Sequence, residues 1–261
     1  MTDSGIGIGV PLRGRGGSVS APYTYNAVNF DGASYLEYTY ATSTVADATS
    51  ATVSGWLRPD ASQTDALGYI AQVYPSSGAS SLSIFWNKAN TRLHCVFTDA
   101  DVPGNLNTTV FTPSTSVPAG SWTHFFGGII STGGFTLVLN GNTGSPAITE
   151  ALTNGRTMRL SNTVGARIGT NIAGTGTFKG DLADLFVHFG TLPADTDAAA
   201  VAAYGSGNGA DFGATGSSGP TAAQPHVFFG QDSSASLPVG QSWNDGYNRG
   251  SLGNGAVWTM I

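Results

Sequence analysis

An all-β sandwich of two antiparallel sheets is the fold this sequence predicts, and three observations carry it. Apolar residues recur at every second position in many short segments, as half-buried strands require. Glycine-rich turns separate those segments, with 37 glycines among 261 residues. Only 10% of the chain is charged, so its polarity comes from Ser, Thr, Asn and Gly, which suit turns and strand faces better than helix surfaces. The length accommodates one large β domain, and 40% hydrophobic content is ample for its core.

The chain divides in order. Residues 1–24 are Gly-rich with no amphipathic period, which predicts an extended N-terminal arm ahead of a domain over 25–261. Glycines interrupt the apolar residues of "MTDSGIGIGV" and no basic start precedes them, so the arm does not read as a signal peptide. No apolar run approaches the ~20 residues that cross a bilayer as a helix, so membrane insertion is not expected. From Tyr25 onward "YLEYTY", "ATVSGWLR", "YIAQVY", "SLSIFW", "RLHCVFT" and "THFFGGII" follow one another as strands. "FTLVLNGNTG" is a hairpin signal, because Asn140-Gly141 tolerates the positive φ of a two-residue turn. "ARIGT" and "DLADLFVHFG" add two more strands.

One helix is expected, over 194–204. Pro193 opens it, Asp195 and Asp197 sit at its positive end, alanines fill it, and Gly205 closes it. Residues 205–225 are linker-like, and a C-terminal segment over 220–261 returns strand character in "HVFFG" and "GAVWTMI".

Charge and cysteine content narrow the function classes. The net charge is −6 and the lysines are Lys88 and Lys179 alone, so no basic face for phosphate exists and nucleic acid is excluded as a partner. Arg13 and Arg15 form the tight basic pair of the arm, which suits anchoring to another protein chain. Cys95 is the single cysteine, so no intrachain disulfide can form. Its strand-like surroundings favour a buried inert thiol over a nucleophile.

The strand order resembles a known family. "VNFDGASYLEYT" is similar to the opening strand of concanavalin A-like, laminin-G-type jelly-roll domains, and "ATVSGWLRPD" to their second signature strand. "GSWTHFFGGII", "FTLVLNG", "ARIGT" and "FKGDLADLFVHFGTLPAD" then follow in the family's order, over roughly 25–200. The resemblance implies a jelly roll whose first and last strands are neighbours, with Trp56 and Trp122 as core aromatics. The segment "SWNDGYNRGSLGNGAVWTM" is similar to C-terminal segments of laminin-G-like proteins of tailed bacteriophages. That second likeness implies a virion protein on a capsid or tail surface, in many copies or as a homo-oligomer, held to other virion proteins through the arm.

The carboxylates decide between catalysis and recognition. Asp181 and Asp184 stand three apart in one strand segment, at opposite parities, so they read as structural residues that share neither proton nor metal. Retaining glycoside hydrolysis needs two carboxyl groups ~5–5.5 Å apart. The glucanases that the fold resembles supply them from one strand as Glu-x-Asp-x-x-Glu, whereas this chain has only Glu37 and Glu150, each alone. His94, His124, His188 and His226 show no zinc-ligand spacing. A non-enzymatic protein without a cofactor is therefore expected.

A sugar-binding site is the alternative to a purely structural role, with host-surface glycan as the ligand. Exposed aromatics and planar amides would form it: Trp86, Asn87, Trp243, Asn244, Asp245, Tyr247 and Asn248. The segment "WNDGYN" also reads as a tight turn. Asp99, Asp101 and Asn105 offer the oxygen ligands a calcium ion would take, and also read as a solvated loop. A lectin-like adhesin is the second expectation, and a polysaccharide-active enzyme the third.

Overall fold

The structure, a computed structural model, describes residues 27–39, 46–75, 82–98, 106–111, 116–130, 135–139, 142–143, 146–148, 158, 160, 164–190, 221, 226–229, 242–243 and 258–260. The arm with Arg13 and Arg15, the expected helix over 194–204 and nearly all of the linker lie outside the described residues.

Two antiparallel sheets form the molecule. The seven-stranded sheet runs β1 (Val28–Asp31), β13 (Lys179–Phe189), β3 (Ser50–Pro59), β8 (Thr123–Ile130), β9 (Phe135–Leu139), β10 (Asn142–Thr143), with β14 (Val227–Phe229) also paired to β13. The nine-stranded sheet runs β11 (Pro146–Ile148), β7 (Leu106–Phe111), β6 (Arg92–Thr98), β5 (Leu82–Asn87), β4 (Leu67–Pro75), β12 (Val164–Ile168), β2 (Leu36–Thr39), β16 (Trp258–Met260), β15 (Ser242–Trp243). The early strand β1 lies beside the late strand β13, as the jelly-roll resemblance implied. Leu139 pairs with Asn142 on the two sides of the expected hairpin signal, whose residues 140–141 lie outside the described residues. Sequence reading passed over β7, whose "LNTTVF" is half polar, and β11, where Pro146 is tolerated because β11 is an edge strand.

Alternation builds the core. On β3, Ala51, Val53 and Leu57 point between the sheets, and on β5 Leu82, Ile84 and Trp86 meet them from the other side. Gly169 has φ +93, and a Cβ there would come within 2.5 Å of the Phe30 ring. A glycine is therefore required for β12 to turn away over that buried phenyl.

A bulge in β13 changes what its carboxylates mean. Pairing with β3 slips between Ala183 and Phe186, so Leu182 points inward before the slip and Leu185, Val187 and Phe189 after it. The expected parity difference between Asp181 and Asp184 assumed an uninterrupted strand, and the bulge removes that basis. Asp181 is structural on direct grounds. Its Oδ2 accepts from Arg58 Nε at 2.7 Å and pairs with Arg58 NH2 at 2.6 Å, and its Oδ1 accepts from Asn29 at 2.8 Å.

The centre of the outer face of the seven-stranded sheet is buried as well. Thr52, Ser54, Trp56, His124, Phe126, Phe186 and His188 lie on it and are all buried. Trp56 is buried, as expected of a core aromatic, but on this outer face and not in the inter-sheet cluster, whereas the expectation of a core Trp122 is corrected. Trp56 shares parity with Ser54 and Arg58 and packs on the His124 ring with centroids 4.9 Å apart. Trp122 is half-buried under the Arg58 guanidinium, 5.2 Å from its ring centre.

Burial holds the histidines of this layer neutral. It depresses His124 to about 3. His226 is pushed down to about 4 by burial, with the neighbouring His188 adding to the effect. Its Nδ1 accepts from the Phe189 N–H at 3.0 Å, a bond that protonation there removes. Below the ordinary value of 6.5 the unfolded chain takes up these protons before the folded one does. Stability is therefore full above that pH and falls as the solution is acidified toward 4. Thermal melts from pH 7.5 to 4.5 should show a progressive fall in Tm beginning near 6.5; a flat profile across that range would remove the histidines from the account.

Candidate functional site

The centre of the seven-stranded sheet is covered on both faces, with Asn29, Arg58 and Asp181 partly open toward its β1 edge, and the outer face of the nine-stranded sheet carries further half-exposed side chains. Two groups of them can be compared. On β4, β5 and β6, Tyr69, Phe85 and His94 lie side by side, with ring centroids 5.1 and 4.8 Å apart. Phe85 stacks on His94 and Tyr69 tilts against Phe85, and Gly176 lies against Tyr69, where a Cβ would come within 2.8 Å of the ring.

The second group gathers around Arg167 at the centre of β12. Ala166 and Ile168 point into the core, so Arg167 points out. It sits opposite Glu37 of β2 and Gln72 of β4. Its Nε and NH2 donate to Oε1 of Glu37 at 3.0 and 2.8 Å. Its NH1 donates to the carbonyls of Asn171 and Ile172 at 3.1 and 2.7 Å. Tyr74 lies near the guanidinium, which covers the Tyr35 ring at 5.0 Å. Four of its five N–H donors thus go to Glu37 and the 171–172 backbone. Burial works against its charge, but the hydrogen bond and charge of Glu37 outweigh that and raise its pKa.

Two features shape the exposed side of this group. The Tyr74 ring lies across Gly165, where three of its atoms come within 2.7 Å of the position a Cβ would take. Any side chain at 165 would displace the ring. Burial raises the Tyr74 hydroxyl above its ordinary pKa, so it stays a neutral donor and acceptor. Both Arg167 bonds to Glu37 fall on Oε1, so Oε2 has no hydrogen-bond partner among the described residues. The Glu37 side chain is 25% exposed. The result is an acceptor flanked by two tyrosines on rigid sheet backbone.

The residues expected from sequence lie elsewhere. Trp86 is 1% exposed, inside the core, with its Nε1 donating to the Val117 carbonyl at 2.9 Å; it offers no face to a sugar, and that expectation is corrected. Asn87 is half-exposed, and its Oδ1 caps a turn by accepting from Ala89 N at 3.0 Å, well away from Arg167. Trp243 is described only as a position in β15, paired with Trp258. Asn244, Asp245, Tyr247, Asn248, Asp99, Asp101 and Asn105 lie outside the described residues. No group of three or more His, Cys, Asp or Glu suited to a metal ion occurs among the described residues. Cys95 is fully buried, and burial raises its thiol pKa.

Sequence reasoning passed over Tyr35, Glu37, Tyr74 and Arg167. A signal was present: Glu37 and Arg167 each interrupt an apolar strand at the outward position, in a chain where charge is scarce.

A closed two-sheet β-sandwich with a polar-aromatic sheet face defines the class: a lectin-like jelly roll. The chain belongs to the concanavalin A-like lectin/glucanases superfamily, whose laminin-G-type family model matches residues 30–196. Among solved structures, it is similar to a "putative carbohydrate binding protein" from Bacteroides ovatus, with TM-score 0.56 and 13% identity over 92% of this chain and 59% of that one. It is also similar to the heptameric SAP-like pentraxin of Limulus polyphemus, with TM-score 0.49 and 16% identity over 68% of this chain and 80% of that one. Domains LG4-5 of the mouse laminin α1 chain match with TM-score 0.47 and 12% identity, over 66% of this chain and 46% of theirs. This chain thus spans 59% and 46% of the Bacteroides and laminin proteins. No curated protein matches it.

Arg167→Lys keeps the charge and removes the fork that holds Glu37 and the 171–172 backbone together. At about 1 kcal/mol for each hydrogen bond lost, Tm should fall by several degrees. Hydrogen exchange should accelerate at residues 171–175, and unchanged protection there would show that Arg167 does not hold the loop.

Proposed function

We propose that this protein is a non-catalytic carbohydrate-binding domain that recognises glycan with the outer face of its nine-stranded sheet. The observation that carries the reading is the Oε2 of Glu37, which has no hydrogen-bond partner among the described residues, near Tyr35 and Tyr74 and beside a guanidinium already committed to the protein. Sugars present apolar C–H faces together with hydroxyl donors, and a tyrosine face beside a carboxylate acceptor answers both. The superfamily supports the same class, since it contains lectins as well as glucanases. Among the described residues Glu37 is the one carboxylate of this cluster, whereas retaining or inverting hydrolysis requires two.

Attachment to a virion or virion-like particle is the finer reading. It rests on the Gly-rich arm with Arg13 and Arg15 and on the phage-like C-terminal segment. Display on a particle would give a weak sugar site the avidity of many copies.

Isothermal titration or a glycan array with the full chain tests the first part. Saturable binding should weaken at least tenfold in Tyr74→Ala and Glu37→Ala, with circular dichroism unchanged. Flat responses across a broad neutral and acidic panel would sink the proposal, and so would turnover of any polysaccharide offered. For the second part, deleting residues 1–24 should release the protein from density-gradient-purified particles; retention of the truncated chain would discard the arm as the anchor.

A further inference from the structure

The loop after β12 carries an exposed aliphatic residue at the edge of the Arg167 group, on its β4 side. Ile172 is 46% exposed, and among the described residues it is the large apolar side chain left open to water. A single exposed aliphatic residue is ordinary by itself. The way this one is held is not. Its N–H donates to Gln72 Oε1 at 2.5 Å, and its carbonyl accepts from Arg167 NH1 at 2.7 Å. Gln72 is itself fixed by donating to Ser83 at 2.8 Å. Behind Ile172, Asn171 Oδ1 accepts from the Thr175 N–H at 2.9 Å and closes the turn. Both backbone groups of Ile172 are therefore tied to side chains of the sheet face, and the same guanidinium that holds Ile172 also holds Glu37 and lies beside Tyr74 and Tyr35.

We propose that the ligand of this face is a neutral sugar bearing a methyl group, an N-acetamido or 6-deoxy sugar, and that Ile172 is the residue that selects it. The inference rests on the carbohydrate-binding reading and names the class within it. Neutrality follows from the donors and acceptors. Arg167 has spent its fork on Glu37 and its NH1 on two carbonyls, so a sugar carboxylate or sulfate finds no bidentate cation here, and Oε2 of Glu37 repels it. Hydroxyl and amide N–H donors fit that oxygen. The methyl preference follows from Ile172, which gives a methyl group an apolar wall at the edge of an otherwise polar patch and gives a hydroxyl in the same place no partner. The loop is fixed before the ligand arrives, so the contact is made without ordering cost.

Paired ligands that differ at the methyl-bearing substituent test this. Chitotriose against cellotriose probes the N-acetamido source, and methyl 6-deoxy-α-L-galactoside against methyl α-L-galactoside probes the 6-deoxy source. Titrated into the full chain, one pair should favour its methyl-bearing member by roughly fivefold or more, as about one buried methyl predicts. Ile172→Ser should bring the two members of that pair level while leaving affinity for the hydroxyl member within about twofold. Because its bonds are made by backbone, Ile172→Ser should keep the wild-type Tm, and Ile172→Val should keep the preference. Sugar binding with equal affinity in both pairs, a preference that persists in Ile172→Ser, or tighter binding of acidic glycans would overturn the inference and leave the carbohydrate reading standing. Absence of binding to every sugar would overturn both.

Discussion

The burial of one sheet's centre on both faces is the constraint from which the rest follows. A sheet in a two-layer sandwich ordinarily has one wet face, and its strands alternate polar with apolar. Here β3 is buried at every position from Ser50 to Leu57. Its outward side chains are Ser50, Thr52, Ser54 and Trp56, small hydroxyls beside one indole. Such residues can be covered at low cost when their polar atoms are bonded, and Ser54 makes a 3.3 Å contact with His124. The other sheet keeps Glu37, Arg167, Tyr35 and Tyr74 partly in water.

On that second sheet a single side chain does the joining. Arg167 links β2, through Glu37, to the 171–175 loop, through two carbonyls, and that loop is tied to β4 by the Ile172 N–H on Gln72. A buried cation needs its donors answered by fixed oxygens, and each oxygen that answers is thereby fixed in turn. A lysine would supply one charge with no planar fork and could not hold three elements in register at once. The guanidinium thus acts as scaffold, and the surface that a ligand would meet consists of the groups it holds in place.

How much of this was legible follows from strand parity. The alternation that found β2, β3, β8 and β13 also tells which side chains share a face, and read strictly it goes further than the residue types do. In "LSIFWN" Trp86 stands two from Ile84 and four from Leu82, on the buried side. Its ring size suggested a sugar platform, whereas its parity made it core. In "SATVSGWLRP" Trp56 stands with Ser54 and Thr52 and not with Val53 and Leu57, so the same rule takes it out of the inter-sheet core. The β13 bulge was not legible, since nothing in "DLADLFVHF" marks where the pairing slips. Nor was the joining of Glu37 to Arg167, which lie 130 residues apart and meet only through the register of β2 with β12.

That long-range origin bears on what kind of binder the sheet face makes. Loops that recognise ligands often pay an ordering cost on binding, which a rigid sheet face avoids. Tyr74 is seated on Gly165, Glu37 is fixed through one oxygen while the other has no hydrogen-bond partner among the described residues, and Ile172 is tied at both backbone groups. A shallow surface of this kind buries little area, so its affinity per site is modest however well it is organised. What rigidity secures is discrimination: a group that cannot move cannot adapt to a hydroxyl where a methyl fits, or to an anion where a donor is wanted. On the proposed reading, selectivity comes from the register of two strands far apart in sequence, and a one-residue slip of β2 against β12 would turn Glu37 into the core and abolish the site.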